Sequence, residues 1–431
     1  MVFCFSVIIL TFAKKIRMEL STVFKKARLA ASGFDSFSRR DEVLNFLADM
    51  LESETEWLLA ANRKDLDRMD AGNPKYDRLK LTGERIAGMA ADMRRVAALP
   101  SPLDRLLEEH FLANDLQLQK VTVPIGVIGV IYEARPNVTC DVFSLCFKSG
   151  NACVLKGGSD AVFSNEALMS LIHRALAHYG ANSSMVTLLP SDRASAHALL
   201  TARGWVDVVI PRGSRELIDF VCENARIPVI ETGAGVVHTY LDMTCQRDMA
   251  AVIINNAKTR RVSVCNALDC LIVHKRWLKE LSIIMNPLAD AHVSVYADEL
   301  SYDALKGRYP DDLLFPADSS SFGTEFEDYK IAVKTVNGIR EALAHIERYG
   351  SKHSEAIISD DKKNIELFLK HVDAAAVYAN ASTAFTDGAQ FGMGAEIGIS
   401  TQKLHARGPM GLKELTSYKW VIRGNGQIRP R

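Results

Sequence analysis

The chain has 431 residues, of which 48% are hydrophobic and 24% charged, values typical of a globular protein with a sizeable core. Lysine plus arginine equals aspartate plus glutamate at 52 each, so net charge provides no attraction to nucleic acid or to an anionic membrane. The eight cysteines have no regular spacing, which argues against a disulfide framework and favours a reducing compartment, the cytoplasm.

The N-terminal segment is apolar but matches neither a membrane span nor a secretory signal. Residues 2–13 form an apolar run that is shorter than the ~20 residues needed to cross a bilayer. The positive charges at Lys14 and Lys15 follow this run, whereas a secretory signal places them first. We therefore expect residues 1–17 to be an extension outside the fold, with Met18 as the biological start. A weak membrane anchor is the alternative.

Helical leucine spacing extends from Leu20 to Leu99. Residues 105–123 then alternate loosely between apolar and polar side chains, which predicts a β-hairpin, and we expect it to serve oligomerisation. From Pro124 onward strand-like and helix-like runs alternate, which predicts βαβ units and a parallel sheet covered on both faces. The predicted strands are Gly126–Tyr132, Ala152–Leu155, Met185–Leu189, Val206–Ile210 and Pro228–Glu231, and the predicted helices are Phe163–Tyr179, Ala194–Ala202 and Ser214–Asn224.

A second alternating set follows residue 265 and predicts a second α/β domain. We assign residues 18–250 to a nucleotide-binding domain, 251–385 to a catalytic domain and 386–431 to a returning segment. The last of these includes a strand-like piece at Tyr418–Ile422, which we expect to contribute to a homo-oligomer interface. The runs of the second set are Leu271–His274, Val293–Ala297, Ile331–Val336, Ile339–Tyr349, Ala356–Ser359 and Ala374–Ala379.

Three chemically distinct side chains occur beside predicted strand ends: the amide of Asn137, the carboxylate of Glu231 and the thiol of Cys265. A thiol that attacks a carbonyl and an amide that stabilises the resulting oxyanion are the parts needed for acyl transfer through a thioester. An isolated cysteine is more often a buried structural residue. Cys265 differs from the other cysteines because Lys258 and two arginines closely precede it, and cationic neighbours favour the thiolate.

Two glycine-containing loops are candidates for binding a dinucleotide, although the usual Gly-x-Gly-x-x-Gly fingerprint is missing. Each follows a predicted strand and leads into a helix, whose N-terminus attracts anions. Either loop alone is more often an ordinary turn, but the two together favour a nucleotide site. No P-loop, no His-Glu-x-x-His and no zinc-like spacing of Cys or His occurs, so no metal is expected. The loop residues are Lys156, Gly157, Gly158 and Ser159 in the first, and Gly213 and Ser214 in the second.

Three long stretches, at residues 123–139, 336–355 and 390–412, identify a resemblance that covers about Met18 to Ile428. The chain resembles the aldehyde dehydrogenase superfamily, and within it the branch that reduces γ-glutamyl phosphate. The resemblance implies an α/β fold with two parallel-sheet domains and a small β oligomerisation element.

The resemblance also implies individual roles. It makes Cys265 the nucleophile, Asn137 the oxyanion amide and Glu231 the carboxylate that activates water in hydrolytic relatives. It places Lys156 to Ser159 at the adenosine ribose, the turn at Gly213 and Ser214 at the pyrophosphate, and Glu325 near the nicotinamide ribose. The chain departs from the family pattern at Arg260 and Val262, where glutamine and proline are usual. These departures remove no chemical group that the reaction needs.

The implied reaction is the NADPH-dependent reduction of L-glutamate 5-phosphate to L-glutamate 5-semialdehyde, the second step of proline biosynthesis. A separate glutamate 5-kinase would supply the substrate. Related enzymes that prefer NAD often carry an acidic residue where this chain has Ser159, so a neutral serine favours NADPH. The alternative is a hydrolytic NAD(P)-dependent aldehyde dehydrogenase. A catalytically silent scaffold is disfavoured because the thiol, the amide and the nucleotide loops are all intact.

Overall fold

The computed structural model describes residues 20–33, 37–73 and 75–429. The chain divides into two compact units, which are described separately. Among the described residues, the first comprises those within Met1–Thr232, Gly392–Gly398 and Met410–Arg431, and the second comprises Gly233–Phe391 and Ile399–Pro409. This division falls at Thr232, ahead of the domain boundary that we drew after residue 250. The extension predicted for residues 1–17 lies outside the described residues.

Helices form the N-terminal part of the first unit. Their apolar residues recur every three or four positions, as Val43, Leu44, Leu47 and Leu51 do, so each helix has one apolar face to bury. The helices are α1 (residues 20–32), α2 (Arg40–Ser53), α3 (Thr55–Leu66), α4 (Tyr76–Leu79) and α5 (Gly83–Ala98).

A four-stranded parallel sheet with strand order β5-β4-β3-β6 forms the centre of the first unit. Because the strands are parallel, the loops that follow β3, β4 and β6 meet at one edge of the sheet, where ligands bind in such folds. The predicted strand at Pro228–Glu231 differs, since this segment contributes a single bridge between Val229 and Val209. The elements are β3 (Val127–Tyr132), α6 (Asn137–Lys148), β4 (Ala152–Gly157), α7 (Val162–His178), β5 (Val186–Leu188), α8 (Arg193–Leu200), β6 (Val208–Arg212) and α9 (Arg215–Asn224).

The hairpin predicted over residues 105–123 is present as β1 (Leu106–Phe111) and β2 (Gln117–Pro124), and the C-terminal strand β16 (Thr416–Arg423) pairs with β2. The three strands form an antiparallel sheet with apolar side chains in solvent, among them Phe111 at 70% and Ile422 at 59% exposure. Its part in oligomerisation stays a prediction.

The second unit contains a seven-stranded parallel sheet with strand order β10-β9-β11-β8-β7-β12-β13. The central strand β8 is buried along its whole length, and apolar clusters pack on the sheet. Together with the first unit, this sheet confirms the predicted α/β fold of two parallel-sheet units. The elements are β7 (Val237–Leu241), α10 (Arg247–Thr259), β8 (Leu268–His274), α11 (Leu281–Asp290), β9 (Ser294–Ala297), α12 (Glu299–Leu305), β10 (Leu314–Pro316), β11 (Lys330–Val336), α13 (Ile339–Tyr349), β12 (Ser354–Ile358), α14 (Lys362–His371), β13 (Ala376–Ala379), β14 (Ile399–Ser400) and β15 (Gly408–Pro409).

Hydropathy adds one observation about the helices. Within residues 20–33, 37–73 and 75–429, the structure contains no helix with the length and apolar character that a bilayer crossing demands.

Candidate active site

The two predicted nucleotide loops of the first unit meet at one residue, Glu133, which directly follows β3: the first approaches its backbone and the second its carboxylate. A Cβ added to Gly158 would lie 3.5 Å from Glu133 Cα, and one added to Gly213 would lie 3.0 Å from Glu133 Oε2. The backbone N–H of Ser214 donates to the same Oε2 at 3.3 Å. The structure therefore brings the loops together at the edge of the sheet, as the parallel strands predict.

The first loop is shaped by close packing. A side chain at Gly157 would overlap the amide nitrogen of Asn165 and lie 3.4 Å from Tyr132 Cζ, so this position requires glycine. Lys156 is half-buried, and burial lowers the pKa of its ammonium while Asp192 and Glu133 act in the opposite direction. The loop thus presents glycine backbone and one cation at the end of β4.

Ser159 is exposed and begins a short 3-10 helix, Ser159–Ala161, that precedes α7. The N-cap of α7 is Ala161, whose methyl group cannot accept a hydrogen bond. The carboxylate of Asp65 instead accepts from the backbone N–H groups of Phe163, at 3.2 Å, and Ser164, at 2.8 Å. We expected the start of this helix to attract a nucleotide anion, but an internal carboxylate already occupies it.

A groove with a volume of 210 Å³ opens beside this loop. Glycine backbone forms one side of the groove, and apolar side chains of α7 and of the segment after β5 form another. Such a shape suits a flat, largely apolar ring system with polar groups at its rim. The lining includes Gly157, Gly158, Val162, Asn165, Leu188 and Pro190.

The second loop forms the N-terminus of α9. Ser214 is the N-cap, and its Oγ accepts from the N–H of Leu217 at 3.4 Å. Lys75 Nζ lies 3.5 Å from the Glu133 carboxylate that accepts from the Ser214 N–H. The turn predicted for pyrophosphate therefore already holds an anionic group and a cation. Sequence reasoning did not assign Glu133 or Lys75, although a carboxylate directly after a buried strand was a usable signal.

Asn137 is the first residue of α6, and its Nδ2 donates to Asp141 Oδ2 at 2.8 Å, one helical turn later. This bond orients the amide and uses one of its two hydrogens. Burial raises the pKa of Asp141 to about 7, while Asn137 and Arg212 act to lower it. The orientation of the predicted oxyanion amide thus depends on a carboxyl group that ionises near neutrality.

This shift predicts a pH-dependent contribution to stability. The pKa of Asp141 is raised from an ordinary value of 3.8 to about 7. The stability that the protonated carboxyl contributes to the folded protein is therefore fully present below pH 3.8 and is lost as the pH rises through 7. Asp141→Asn keeps an acceptor for Asn137 but removes the ionisation. We compare the free energies of unfolding of this variant and of wild type. From about pH 5 to pH 8, the difference between them should change in favour of the variant by on the order of 2 kcal/mol. Urea unfolding across this pH range measures the difference. Parallel plots of unfolding free energy against pH for the two proteins would contradict the raised pKa of Asp141.

Glu231 is half-buried near the end of the first unit. The first unit thus contains Asn137, Glu231 and both nucleotide loops, whereas Cys265 and Glu325 belong to the second. The roles of these residues stay predictions.

Cys265 is half-buried in a turn between α10 and β8 of the second unit. The turn lies directly on the backbone of Gly235, where an added Cβ would stand 2.8 Å from Cys265 Cα and overlap its carbonyl oxygen. The N–H of Gly235 donates to Glu325 Oε1 at 3.0 Å. Gly235 therefore contacts both Cys265 and Glu325, two predicted site residues that are distant from each other in the chain.

The next residue, Asn266, anchors the other side of this turn. Its Nδ2 donates to the backbone oxygen of Thr386 at 2.9 Å and faces that of Ala384 at 3.4 Å. Thr383 Oγ1 donates to the carbonyl oxygen of Asn266 at 2.9 Å. Held from both sides, the turn fixes the position of the thiol. Sequence reasoning missed Asn266, since its partners lie in a distant segment.

Lys258, which we expected to favour the thiolate, is fully buried with its Nζ 3.8 Å from Asp269 Oδ1. Burial lowers the pKa of Lys258 and raises that of Asp269 to about 7. Asp269 also accepts from the N–H groups of Phe326, at 3.0 Å, and Val237, at 3.4 Å. Lys258 therefore faces the carboxylate of Asp269. The same carboxylate connects Val237 of β7 to Phe326, the residue after Glu325.

Comparison with known proteins shows which families and chains this one is similar to. Residues 6–291 match the aldehyde dehydrogenase family, a range that contains Asn137, Glu231 and Cys265. The chain is 61% identical to a gamma-glutamyl phosphate reductase of Bacteroides thetaiotaomicron, covering 90% of this chain and 93% of the relative. It is 62% identical to the enzyme of the same name from Parabacteroides distasonis, with the same coverage.

Solved structures give the same picture. The crystal structure of gamma-glutamyl phosphate reductase from Thermotoga maritima superimposes with a TM-score of 0.88 at 39% identity, covering 95% of this chain and 99% of that one. An acetylating aldehyde dehydrogenase from Geobacillus thermoglucosidasius has a TM-score of 0.72 at 16% identity, and this match shows the fold alone.

Proposed function

Because this chain belongs to the gamma-glutamyl phosphate reductases of the aldehyde dehydrogenase family, we propose that it reduces L-glutamate 5-phosphate to L-glutamate 5-semialdehyde and phosphate. The observation that carries the proposal is the 61% identity over nine tenths of a reductase of that name. The reaction would be the second step of proline biosynthesis.

The thiol of Cys265 is the nucleophile of the proposed mechanism. Its thiolate attacks the γ-acyl carbon, the carbon–oxygen bond to phosphate breaks, and phosphate leaves with the electron pair, so that a thioester remains. The amide of Asn137, oriented by Asp141, would stabilise the oxyanion in this step. After reduction, collapse of the thiohemiacetal returns the thiolate and releases the aldehyde. Since water is not a reactant, Glu231 need not act as a strong base.

We propose NADPH as the reductant. The groove beside Gly157 and the α9 N-terminus suit an adenosine and a diphosphate, since glycine backbone and helix N–H groups allow close approach of an anion. Bound there, NADPH would supply the hydride that reduces the thioester on Cys265. A diphosphate at this helix end would compete with Glu133 for the Ser214 N–H, and Lys75 would remain beside it.

Several partners belong to the same proposal. A separate glutamate 5-kinase would supply the labile acyl phosphate, and the exposed apolar side chains of the β1-β2-β16 sheet suit contact with a second copy of the chain. We propose a cytoplasmic location, which agrees with the free thiols of the seven described cysteines.

Ser159 tests the choice of cofactor. Ser159→Glu should lower the NADPH-to-NADH ratio of kcat/KM at least roughly tenfold, or about 1.4 kcal/mol, because a 2′-phosphate would meet a like charge. Ser159→Gln is the matched neutral control and should keep the ratio. Stability should change little in either variant, since Ser159 is exposed and lies before the helix cap. An unchanged ratio in Ser159→Glu would show that this loop does not select the cofactor.

The function itself is tested in the oxidative direction. Oxidation of glutamate-5-semialdehyde with NADP should require inorganic phosphate, because phosphate and not water resolves the thioester. Arsenate, which forms an unstable acyl arsenate, should replace phosphate and drive the reaction further. Equal rates without either anion would favour a hydrolytic aldehyde dehydrogenase.

A further inference from the structure

A row of polar side chains crosses the centre of the second sheet. Glu355 of β12 is paired in register with His238 of β7, which in turn is paired with Cys270 of β8. In-register neighbours on adjacent strands project to the same face of a sheet. His345 of α13 meets this row, with its Nε2 3.6 Å from Cys270 Sγ. All four residues are buried.

The spacing of this cluster fits three of the four ligand positions around a tetrahedral zinc ion. One ligand atom from each of His238, Cys270 and His345 lies within 4.8 Å of the other two. With a Zn–S length of about 2.3 Å and Zn–N lengths of about 2.0–2.1 Å, tetrahedral angles put S and N about 3.6 Å apart. That separation equals the distance observed between Cys270 Sγ and His345 Nε2. Thiolate and imidazole are the ligands that zinc prefers.

A second observation concerns His238. Its Nδ1 lies 3.1 Å from Glu355 Oε2, so the ring donates there and leaves a lone pair on Nε2. Nε2 is buried and has no hydrogen-bond partner among the residues that the structure describes. A buried nitrogen without a partner is destabilising. A histidine whose second nitrogen donates to a carboxylate is the usual arrangement of a metal ligand.

A purely structural role explains only part of this arrangement. A hydrogen bond between the Cys270 thiol and His345 Nε2 accounts for their 3.6 Å contact within an apolar cluster. It leaves Nε2 of His238 unsatisfied, whereas the backbone N–H of His238, which donates to Glu355 Oε2 at 2.8 Å, accounts for the carboxylate. A metal ion bound by Nε2 of His238 would give this nitrogen a partner.

We propose that His238, Cys270 and His345 bind one Zn²⁺, with Glu355 orienting His238. The thiol of Cys270 gives up its proton to solvent as the S–Zn bond forms, and both imidazoles bind as neutral ligands. The ion would connect β7, β8 and α13 and act as a structural clamp. Because the site is buried, the ion would enter during folding. The inference does not depend on the proposed catalytic function.

The test uses the full chain in a Cys265→Ala background, which removes the half-buried thiol of the catalytic turn. Protein expressed with added zinc and dialysed against metal-free buffer should retain about one zinc ion per chain by mass spectrometry of the metal. Cobalt substituted for zinc should show the charge-transfer absorption of a cobalt–thiolate bond. Absence of retained zinc and of this absorption would overturn the proposal.

Two variants separate a metal site from a core hydrogen bond. Cys270→Ser keeps a hydroxyl that can hydrogen bond to His345 but is a poor zinc ligand, so it should lose the zinc and the cobalt–thiolate absorption. Cys245→Ala is the matched control, since Cys245 is a buried cysteine of the same unit in another apolar cluster. It should retain both. Equal zinc contents in Cys270→Ser and Cys245→Ala would also overturn the proposal.

Discussion

Cys265→Ala should abolish reduction of L-glutamate 5-phosphate while leaving the fold and nucleotide binding intact. Without the thiol the proposed thioester cannot form. The fold should persist because the turn is held by its contact with Gly235 on one side and by the side-chain and backbone hydrogen bonds of Asn266 on the other. Neither contact uses the sulfur atom.

Three measurements separate chemistry from structure in this variant. Steady-state assays give the rate, fluorescence titration gives nucleotide affinity, and mass spectrometry of quenched reactions detects the acyl adduct on the wild-type chain. Cys222→Ala is the control, because Cys222 is an exposed free thiol. It should retain the wild-type rate. A Cys265→Ala chain that turns over near the wild-type rate would exclude the covalent mechanism.

The order of elements was largely predictable because strands and helices alternate with clear hydrophobic patterns. The strand β7 was missed. It spans Val237–Leu241 and is fully buried, yet it includes the polar residues His238 and Thr239. Polar residues such as these interrupt the continuous apolar run by which a buried strand is recognised in a sequence. The presence of His238 is explained by its hydrogen bonds to Glu355, a distant residue that no local pattern shows.

The site was predictable to the extent that its signals are local. Cys265 and the glycines of the two loops carry such signals, since a thiol after cationic residues or a glycine between strand and helix is recognisable in a short window. Glu133 and Gly235 are different. The role of Glu133 depends on two loops that converge on it, and that of Gly235 on a turn thirty residues later in the chain. These contacts exist only once the sheets have formed.

Gly235→Ala should lower kcat at least about 10²-fold, although the substitution adds one methyl group outside the reacting atoms. An added Cβ would overlap the carbonyl oxygen of Cys265 and stand 2.8 Å from its Cα, so the Cys265 turn or the Gly235 backbone must move. Movement of the turn is resisted by Asn266, and movement of Gly235 disturbs its hydrogen bond to Glu325. Either shift misplaces the thiol, and a displacement of about 1 Å is enough for such a loss.

Gly338→Ala is the matched control in the same unit, because a methyl group there would meet open space in the part of the chain that the structure describes. It should keep the wild-type kcat. Labelling of Cys265 by an alkylating reagent and urea unfolding should accompany the kinetics, since a displaced turn changes the labelling rate even when the protein stays folded. Affinity for the adenosine and diphosphate parts of the nucleotide, measured with ADP-ribose, should fall much less than kcat, because both nucleotide loops belong to the first unit, whereas Glu325 is expected near the nicotinamide ribose. A folded Gly235→Ala chain with the wild-type kcat would show that the turn accommodates the methyl group without moving its thiol.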